Sequence, residues 1–398
     1  MNGVSTVSSK ICKFGRTVYA DHVRSYLASL LFERGTISTL TRESLASETN
    51  PHVVRTVTVG EAETVEPYEP PCVGTLPDGI REKIRPFELS APFVAELENV
   101  QLIGPDALPI LPDGSVVLEG VEGSFDRAMD ACIRCLAAEK IPIRRSTTSE
   151  YELAVSLAGP WSDEFFHWFV EYLPRIISIE RYSEQFEVEP VYFIPADAPK
   201  WLLRSLELFG VSDDDLVPWS SGRVDVQRLL LPSLLRQTET TASSAGYVNS
   251  PSGVHQVSKR LRGSVSQTHK RTDVGSHLYV SREGAHARKI VNEDKLHPFL
   301  DAYAFDVVHP EEWSLDEQIA TFANATVIAG PHGGGLTNAM YASDPTILEL
   351  FGSNDNPCYF ALFAGSGLEY GLVKGDSVGP NIYIDPSDFE QLCDRLIR

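Results

Sequence analysis

The sequence predicts an α/β protein of two domains, each a mainly parallel sheet covered by helices, with a cleft between them. Three observations carry this. Short β-branched or aromatic runs alternate with amphipathic stretches over 151–231 and again over 276–351, the pattern of parallel βα layers. A Ser-, Thr- and Gly-rich stretch, 238–268, separates the two runs and reads as the crossing between domains. The 398 residues, 42% of them hydrophobic, suffice for two cores. The expected divisions are an N-terminal extension or arm over 1–80, an N-terminal α/β domain over 81–245 and a C-terminal α/β domain over 246–398.

In the arm, 23–33 has the period of a modest amphipathic helix, and 61–77 is acidic and proline-rich, hence extended. Strands are expected at 95–103 and 115–119, with Asp113-Gly114 as a hairpin-type turn between them. A helix over 124–139 places Cys132 and Cys135 on one face at i, i+3, as small core residues. Strands at 151–157, 188–194, 215–219 and 226–231 and helices at 161–175 and 200–208 complete the first layer. Asp213, Asp214 and Asp215 contain a formal D-x-D but follow a turn, and read as a solvated loop. In the second layer, strands fall at 276–281, 305–309, 326–329 and 346–351, and helices at 291–305 and 314–324.

The formal net charge of −21 argues against general binding of nucleic acid or anionic membrane. Arginine outnumbers lysine and the acids are scattered, as on the solvating surface of a halophile. The six cysteines, Cys12, Cys72, Cys132, Cys135, Cys358 and Cys393, are too dispersed for a disulfide framework, and the lone C-x-x-C lacks the second pair a zinc site needs. No other residues have good spacing for a divalent metal. No apolar run reaches the roughly 18–20 residues of a membrane span, and the first residues lack a signal-peptide core. The expectation is a cytoplasmic protein, with peripheral association at the cytoplasmic face of a membrane left open.

Two stretches carry chemistry. In TVIAGPHGGGLTNAMY (326–341), a β-branched run enters a glycine-rich turn and then a helix. Glycines allow close backbone approach, and the first N–H groups of a helix have no intrahelical partner, so the turn can cradle a phosphate. An ordinary tight βα turn uses the same residues. Neither G-x-G-x-x-G nor G-x-x-x-x-G-K-[ST] is present, and no G-x-S-x-G elbow supports covalent hydrolysis. His332 within the turn and Asn338 on the helix could contact the same ligand. Arg282, just beyond the strand SHLYVS, suits a diphosphate, whereas Arg288 and Lys289 read as surface charge. Glu349, in TILELF, could accept from ribose hydroxyls. The second stretch is the helix 161–175, where Asp163, His167 and Glu171 recur at i, i+4, i+8 on an otherwise apolar surface. Facing a cleft, His167 is a candidate general base with a carboxylate to orient it; facing inward, it is a hydrogen-bonded core histidine.

Together, WSDEFFHWFVEYLPR (161–175), YVSR followed by KIVNED (279–294), and EQIATFANATVIAGPHGGGLTNAMYA followed by TILELF (317–351) resemble glycosyltransferase family 61. The family holds capsular-polysaccharide-type enzymes, plant xylosyl- and arabinosyltransferases, and O-GlcNAc-type transferases of the secretory pathway. The resemblance runs over 87–398 and spares the first 75 or so residues. It implies a GT-B architecture, two facing Rossmann-like domains with the nucleotide sugar on the C-terminal one and the acceptor on the N-terminal one. It implies inverting transfer in a single displacement, without an obligatory metal or other cofactor. His167, with Asp163 or Glu171 as orienter or substitute, would take the acceptor proton. The N–H groups at Gly333, Gly334 and Gly335, with Arg282, His332 and Asn338, would hold the diphosphate side, and Glu349 the ribose. The family's loop usually reads H-G-A-G-L; here Gly334 replaces the alanine and keeps the backbone donors. An acidic chain with no recognised anchor departs from the secretory members, so their acceptors are not carried over; a glycan, a lipid-linked glycan or a protein hydroxyl remains. Two other classes stay open: an inactive nucleotide-sugar-binding scaffold, which binds donor without consuming it, and a GT-B-like epimerase or hydrolase, which consumes donor without acceptor.

Overall fold

The structure is a computed structural model that describes residues 39–46, 50–121, 149–220, 222–238, 247–354 and 356–397. The helices expected at 23–33 and 124–139, and with them Cys12, Cys132 and Cys135, lie outside the described residues.

Strands Val327–Pro331 and Thr346–Phe351 are buried at nearly every position, which suits only a sheet covered on both faces. They belong to a sheet of six parallel strands in the order Phe305–Val308, His277–Val280, Val327–Pro331, Thr346–Phe351, Tyr370–Lys374, Cys72–Val73. Counting the first five in chain order, the sheet reads 2-1-3-4-5, a doubly wound layer whose winding reverses between His277–Val280 and Val327–Pro331. Ligands of such sheets bind outside the carboxyl ends of the two strands at that reversal, here occupied by Ser281-Arg282 and His332-Gly333.

The other sheet is mixed. Arg223–Pro232, Glu150–Ser156, Val191–Pro195 and Leu216–Trp219 run parallel, as the βα alternation requires. Phe93–Ile103 then pairs antiparallel with Arg223–Pro232, so this layer is not the wholly parallel one expected. The Asp113-Gly114 turn, with Gly114 at φ 86, folds the chain back so that Leu108–Ile110 and Val116–Val117 pair antiparallel on the same side. The expected extension is, where described, part of both sheets rather than an arm. Val53–Thr58 pairs with Phe93–Ile103, and Cys72–Val73 forms the edge of the parallel sheet. Tyr68 secures that edge, accepting from the Tyr370 N–H at 2.7 Å and donating to the Leu368 carbonyl at 2.9 Å.

The expected crossing 238–268 also differs: it contains the helix Pro251–Ser264, whose Ser250 hydroxyl accepts from the Gly253 N–H at 3.0 Å. Ser-Pro is an N-cap followed by an N1 proline, a start signal outweighed in the sequence by the surrounding serines and glycines.

The central helix runs over 165–186, not 161–175. Residues 161–164 form a turn, and the helix continues well past Arg175. Trp168–Tyr172 is a π-turn in which all five residues are buried. This widened turn directly precedes Pro174, whose ring would clash with the Val170 carbonyl in a regular α-helix. The helix packs on Phe93–Ile103 and Arg223–Pro232, and Trp168, Phe169 and Leu173 share one apolar cluster with Leu336, Tyr341, Phe351 and Tyr359 of the parallel-sheet half. Its position is pinned twice. The Tyr182 hydroxyl donates to the buried Glu96 carboxylate, which also takes Arg228 Nε at 2.6 Å, and the Trp168 indole donates to Ser205 Oγ at 2.8 Å.

Candidate functional site

A cavity of about 580 Å³ opens at the winding reversal of the parallel sheet. Val280, Ser281 and Arg282 form one wall, Gly334, Gly335 and Asn338 another, and Phe165, Trp201 and Trp313 contribute aromatic surface. Two buried polar atoms here lack a partner: Arg282 Nε and Asn338 Oδ1. The Asn338 amide nitrogen donates to the Gly335 carbonyl at 3.1 Å, which turns its oxygen the other way. Arg282 Nη2 reaches the Ala287 carbonyl at 3.2 Å, and among the described residues no carboxylate pairs with this guanidinium. Burial first, and then the charge of Arg288, holds its pKa below the usual arginine value. An unpaired, partly desolvated cation beside a glycine turn is relieved by an anion.

The glycines are there for close approach. A Cβ on Gly333 would stand 2.1 Å from Arg282 Nη1, so only glycine lets the guanidinium lie flat on the loop. A Cβ on Gly335 would stand 2.7 Å from Val280 Cγ1. Gly334 differs: nothing lies within 4 Å of its Cβ direction, so alanine fits there. Gly334→Ala is therefore expected to keep stability within about 0.5 kcal/mol and to keep ligand binding. Gly333→Ala is expected to displace Arg282 and weaken anion binding at least about tenfold, since charge-assisted hydrogen bonds are worth about 1.5–3 kcal/mol. Calorimetric titration of the two variants with a nucleoside diphosphate checks both. The segment after the turn, Gly334–Tyr341, is a 3-10 helix, tighter than the α-helix expected.

Behind the loop, His332 and Glu349 take positions the sequence did not indicate. His332 is 4% exposed and its Nδ1 lies 2.5 Å from Glu349 Oε1. Glu349 is fully buried, and its second oxygen accepts from the Tyr370 hydroxyl. Both carboxylate oxygens are engaged inside the sheet, so the ribose contact expected for Glu349 is not open to it; it braces His332 instead. Tyr359 locks the same layer from the other side, donating to the Gly333 carbonyl at 2.8 Å and meeting the Phe166 ring edge-on at 5.2 Å. The start of the central helix is thereby in contact with the glycine turn.

His167 stands two residues beyond Phe165, with its side chain 22% exposed. Its Nδ1 lies 2.9 Å from Glu171 Oε2, and Arg236 Nη1 donates to Glu171 Oε1 at 2.9 Å. The expected three-residue stripe does not form. Asp163 sits in the exposed turn before the helix, Glu171 points into the interior, and Glu171 alone of the two acids holds His167. Burial would raise the Glu171 pKa, but the Arg236 charge, the His167 hydrogen bond and Arg175 together outweigh it and bring it down to about 2. An ionised Glu171 keeps a proton on His167 Nδ1 and leaves Nε2 as the free base of the neutral ring.

The sign of the linkage follows from that shift. A carboxyl at its ordinary 4.5 in the unfolded chain and about 2 in the fold stabilises the protein above pH 4.5. That contribution, on the order of 3 kcal/mol, is lost as pH falls towards 2. Urea unfolding at stepped pH is expected to show the stability gap between wild type and Glu171→Gln closing below pH 4.5; a constant gap contradicts the ionised, paired state.

Residues 165–348 match the family model for glycosyltransferase 61. That match assigns this stretch of the chain to glycosyltransferase family 61. No curated protein matches the chain. The family 61 match begins at the first residue of the central helix and ends within the strand Thr346–Phe351. It contains His167, Glu171, Arg236, Arg282, the glycine turn and Asn338, and stops one residue short of Glu349. It supports glycosyltransferase activity in general, which joins a sugar donor to an acceptor.

Sequence reading missed Arg236, Tyr359 and the aromatic walls of the cavity. Arg236 closes the apolar run LLLPSLL, and a charge at the end of such a run marks a buried ion pair. Tyr359 lies in CYFALF, which reads as plain core. Trp201 and Trp313 belong to different elements and come to line one cavity only in the fold. No described helix is long and apolar enough to cross a membrane.

Proposed function

We propose that this chain transfers a sugar from a nucleotide-sugar donor to a glycan, lipid-linked or protein hydroxyl, with inversion, in a single displacement. The observation that carries it is the unpaired Arg282 guanidinium lying on Gly333 at the winding reversal of the parallel sheet, within a family 61 domain. In this reading the sheets form the two halves of a GT-B-like enzyme, and the donor diphosphate sits between Arg282 and the first N–H groups after Gly333. As the glycosidic bond to the leaving phosphate breaks, the charge passing to the diphosphate is met by these preplaced donors. His167 Nε2 takes the proton of the attacking hydroxyl, and Glu171 steadies the imidazolium. Glu171 remains ionised throughout because Arg236 holds its other oxygen. No metal ion is required by this scheme, since the cationic work falls to Arg282 and the backbone.

The test is donor consumption followed by proton NMR. The expected result is consumption that depends on acceptor, with product of the opposite anomeric configuration to the donor. Consumption without acceptor, or product of retained configuration, overturns the proposal.

A further inference from the structure

Of the five tryptophans, Trp161 alone is exposed, at 43%. Its ring stacks on His167, with centroids 5.2 Å apart and planes at 28°. Its backbone is at φ 56, which a non-glycine residue adopts rarely. The loop beneath is tightly tied. The Gly159 N–H donates to Ser162 Oγ at 3.1 Å, the Glu164 N–H to the Trp161 carbonyl at 2.9 Å, and the Tyr172 hydroxyl to the Pro160 carbonyl at 2.9 Å. An indole held towards solvent on an unfavourable backbone, directly over a candidate base, is not explained by core packing.

The ring lines a basin of about 330 Å³, separate from the glycine-turn cavity. Asp106, Asp163, Asp197 and Ser162 surround it, and no arginine or lysine lines it. Among the described residues no three His, Cys, Asp or Glu side chains converge as a metal would need, so the carboxylates are spread. An aromatic face with dispersed acceptors around it matches a sugar ring. The polarised C–H bonds on one face of a pyranose meet the negative face of the indole, while its hydroxyls donate to carboxylates. Phe165 opens on the donor cavity, Trp161 on the basin, and His167 follows two residues after Phe165 with its ring stacked on Trp161.

We infer that this basin is the acceptor-sugar subsite, taking a terminal sugar residue that is neutral or cationic, stacked on Trp161 with hydroxyls donating to Asp163 and Asp197. The inference rests on the transferase reading above. It assigns Trp161 two roles, a platform for the acceptor ring and a lid on one face of His167. The acidic wall repels uronates and other anionic sugars.

Saturation-transfer NMR on the full chain at neutral pH tests it, using the methyl glycosides of glucose, galactose, mannose and xylose, with glucuronic acid as the anionic probe. The expected result is transfer to at least one neutral glycoside, reduced at least about tenfold in Trp161→Gly, and none to glucuronic acid. Glycine suits the positive φ, and a thermal shift with nucleotide sugar equal to that of wild type shows that this variant is folded with its donor site intact. Asp163→Asn, on an exposed residue, is expected to weaken the neutral glycoside and to admit glucuronic acid. Absence of transfer to every neutral glycoside, or equal transfer in Trp161→Gly, overturns the inference. Failure of the transferase reading shows itself separately, as no response of wild type to any nucleotide sugar.

Discussion

Replacing His167 by alanine is expected to lower kcat by about 10²–10⁴-fold, the range for loss of a positioned general base, while donor affinity stays near that of wild type. The separation follows from geometry. His167 pairs with Glu171 and stacks under Trp161, whereas the glycine-turn cavity proposed for the donor is lined by Arg282, Gly334, Gly335 and Asn338. Glu171→Gln is expected to fall between the two, because an amide can still hold the ring but carries no charge to stabilise the imidazolium. The measurement is steady-state kinetics beside calorimetric donor titration. Full activity of His167→Ala removes it as base; lost donor binding would instead place it on the donor side.

The largest stability effect is expected at Arg236, which is 6% exposed and donates to the buried Glu171 carboxylate. Removing Arg236 leaves the buried Glu171 charge to His167 and Arg175 alone, so Arg236→Ala should cost about 3 kcal/mol, the lower end of the range for breaking a buried pair. Its guanidinium also lies over the Tyr247 ring at 4.5 Å, a stacking contact that a lysine cannot reproduce. Arg236→Lys should therefore recover only part of the loss. The double variant Arg236→Met with Glu171→Gln should recover more than half, since the stranded charge is gone. Chemical denaturation measures all three. A single Arg236→Ala loss below about 1 kcal/mol would mean that water or another cation reaches Glu171.

Much of the fold was legible where local pattern and tertiary demand agree. The helix Lys200–Leu208 and the strand Thr346–Phe351 fall where the sequence puts them, because the first has helical apolar spacing and the second is a short run dominated by apolar residues. The capping box of Ser314 and Glu317 likewise marks the start of Leu315–Phe322. The central helix was shifted because its start is set by a turn at positive φ and its middle by a π-turn before Pro174, neither of which has a periodic signature. That shift decided the site. A regular helix over 161–175 puts Asp163, His167 and Glu171 on one stripe, whereas the real backbone turns Glu171 towards Arg236 and leaves Asp163 in the open. Glu349 was misplaced for a different reason. An acid in a buried strand invites a ligand, but Tyr370, on the neighbouring strand, and His332 satisfy it, and such partners emerge only from sheet order.

The glycine turn and Arg282 are proposed to hold the diphosphate of a nucleotide sugar. Thermal shift of wild type, Arg282→Ala and Gly334→Asp, in high salt without added metal, against UDP-, GDP-, CMP- and dTDP-sugars tests it most directly. Wild type is expected to shift with one nucleotide family and both variants to lose that shift, because one removes the cation and the other puts a carboxylate into the open space beside Gly334. A wild type that responds to none of them, or variants that respond as wild type does, would contradict it.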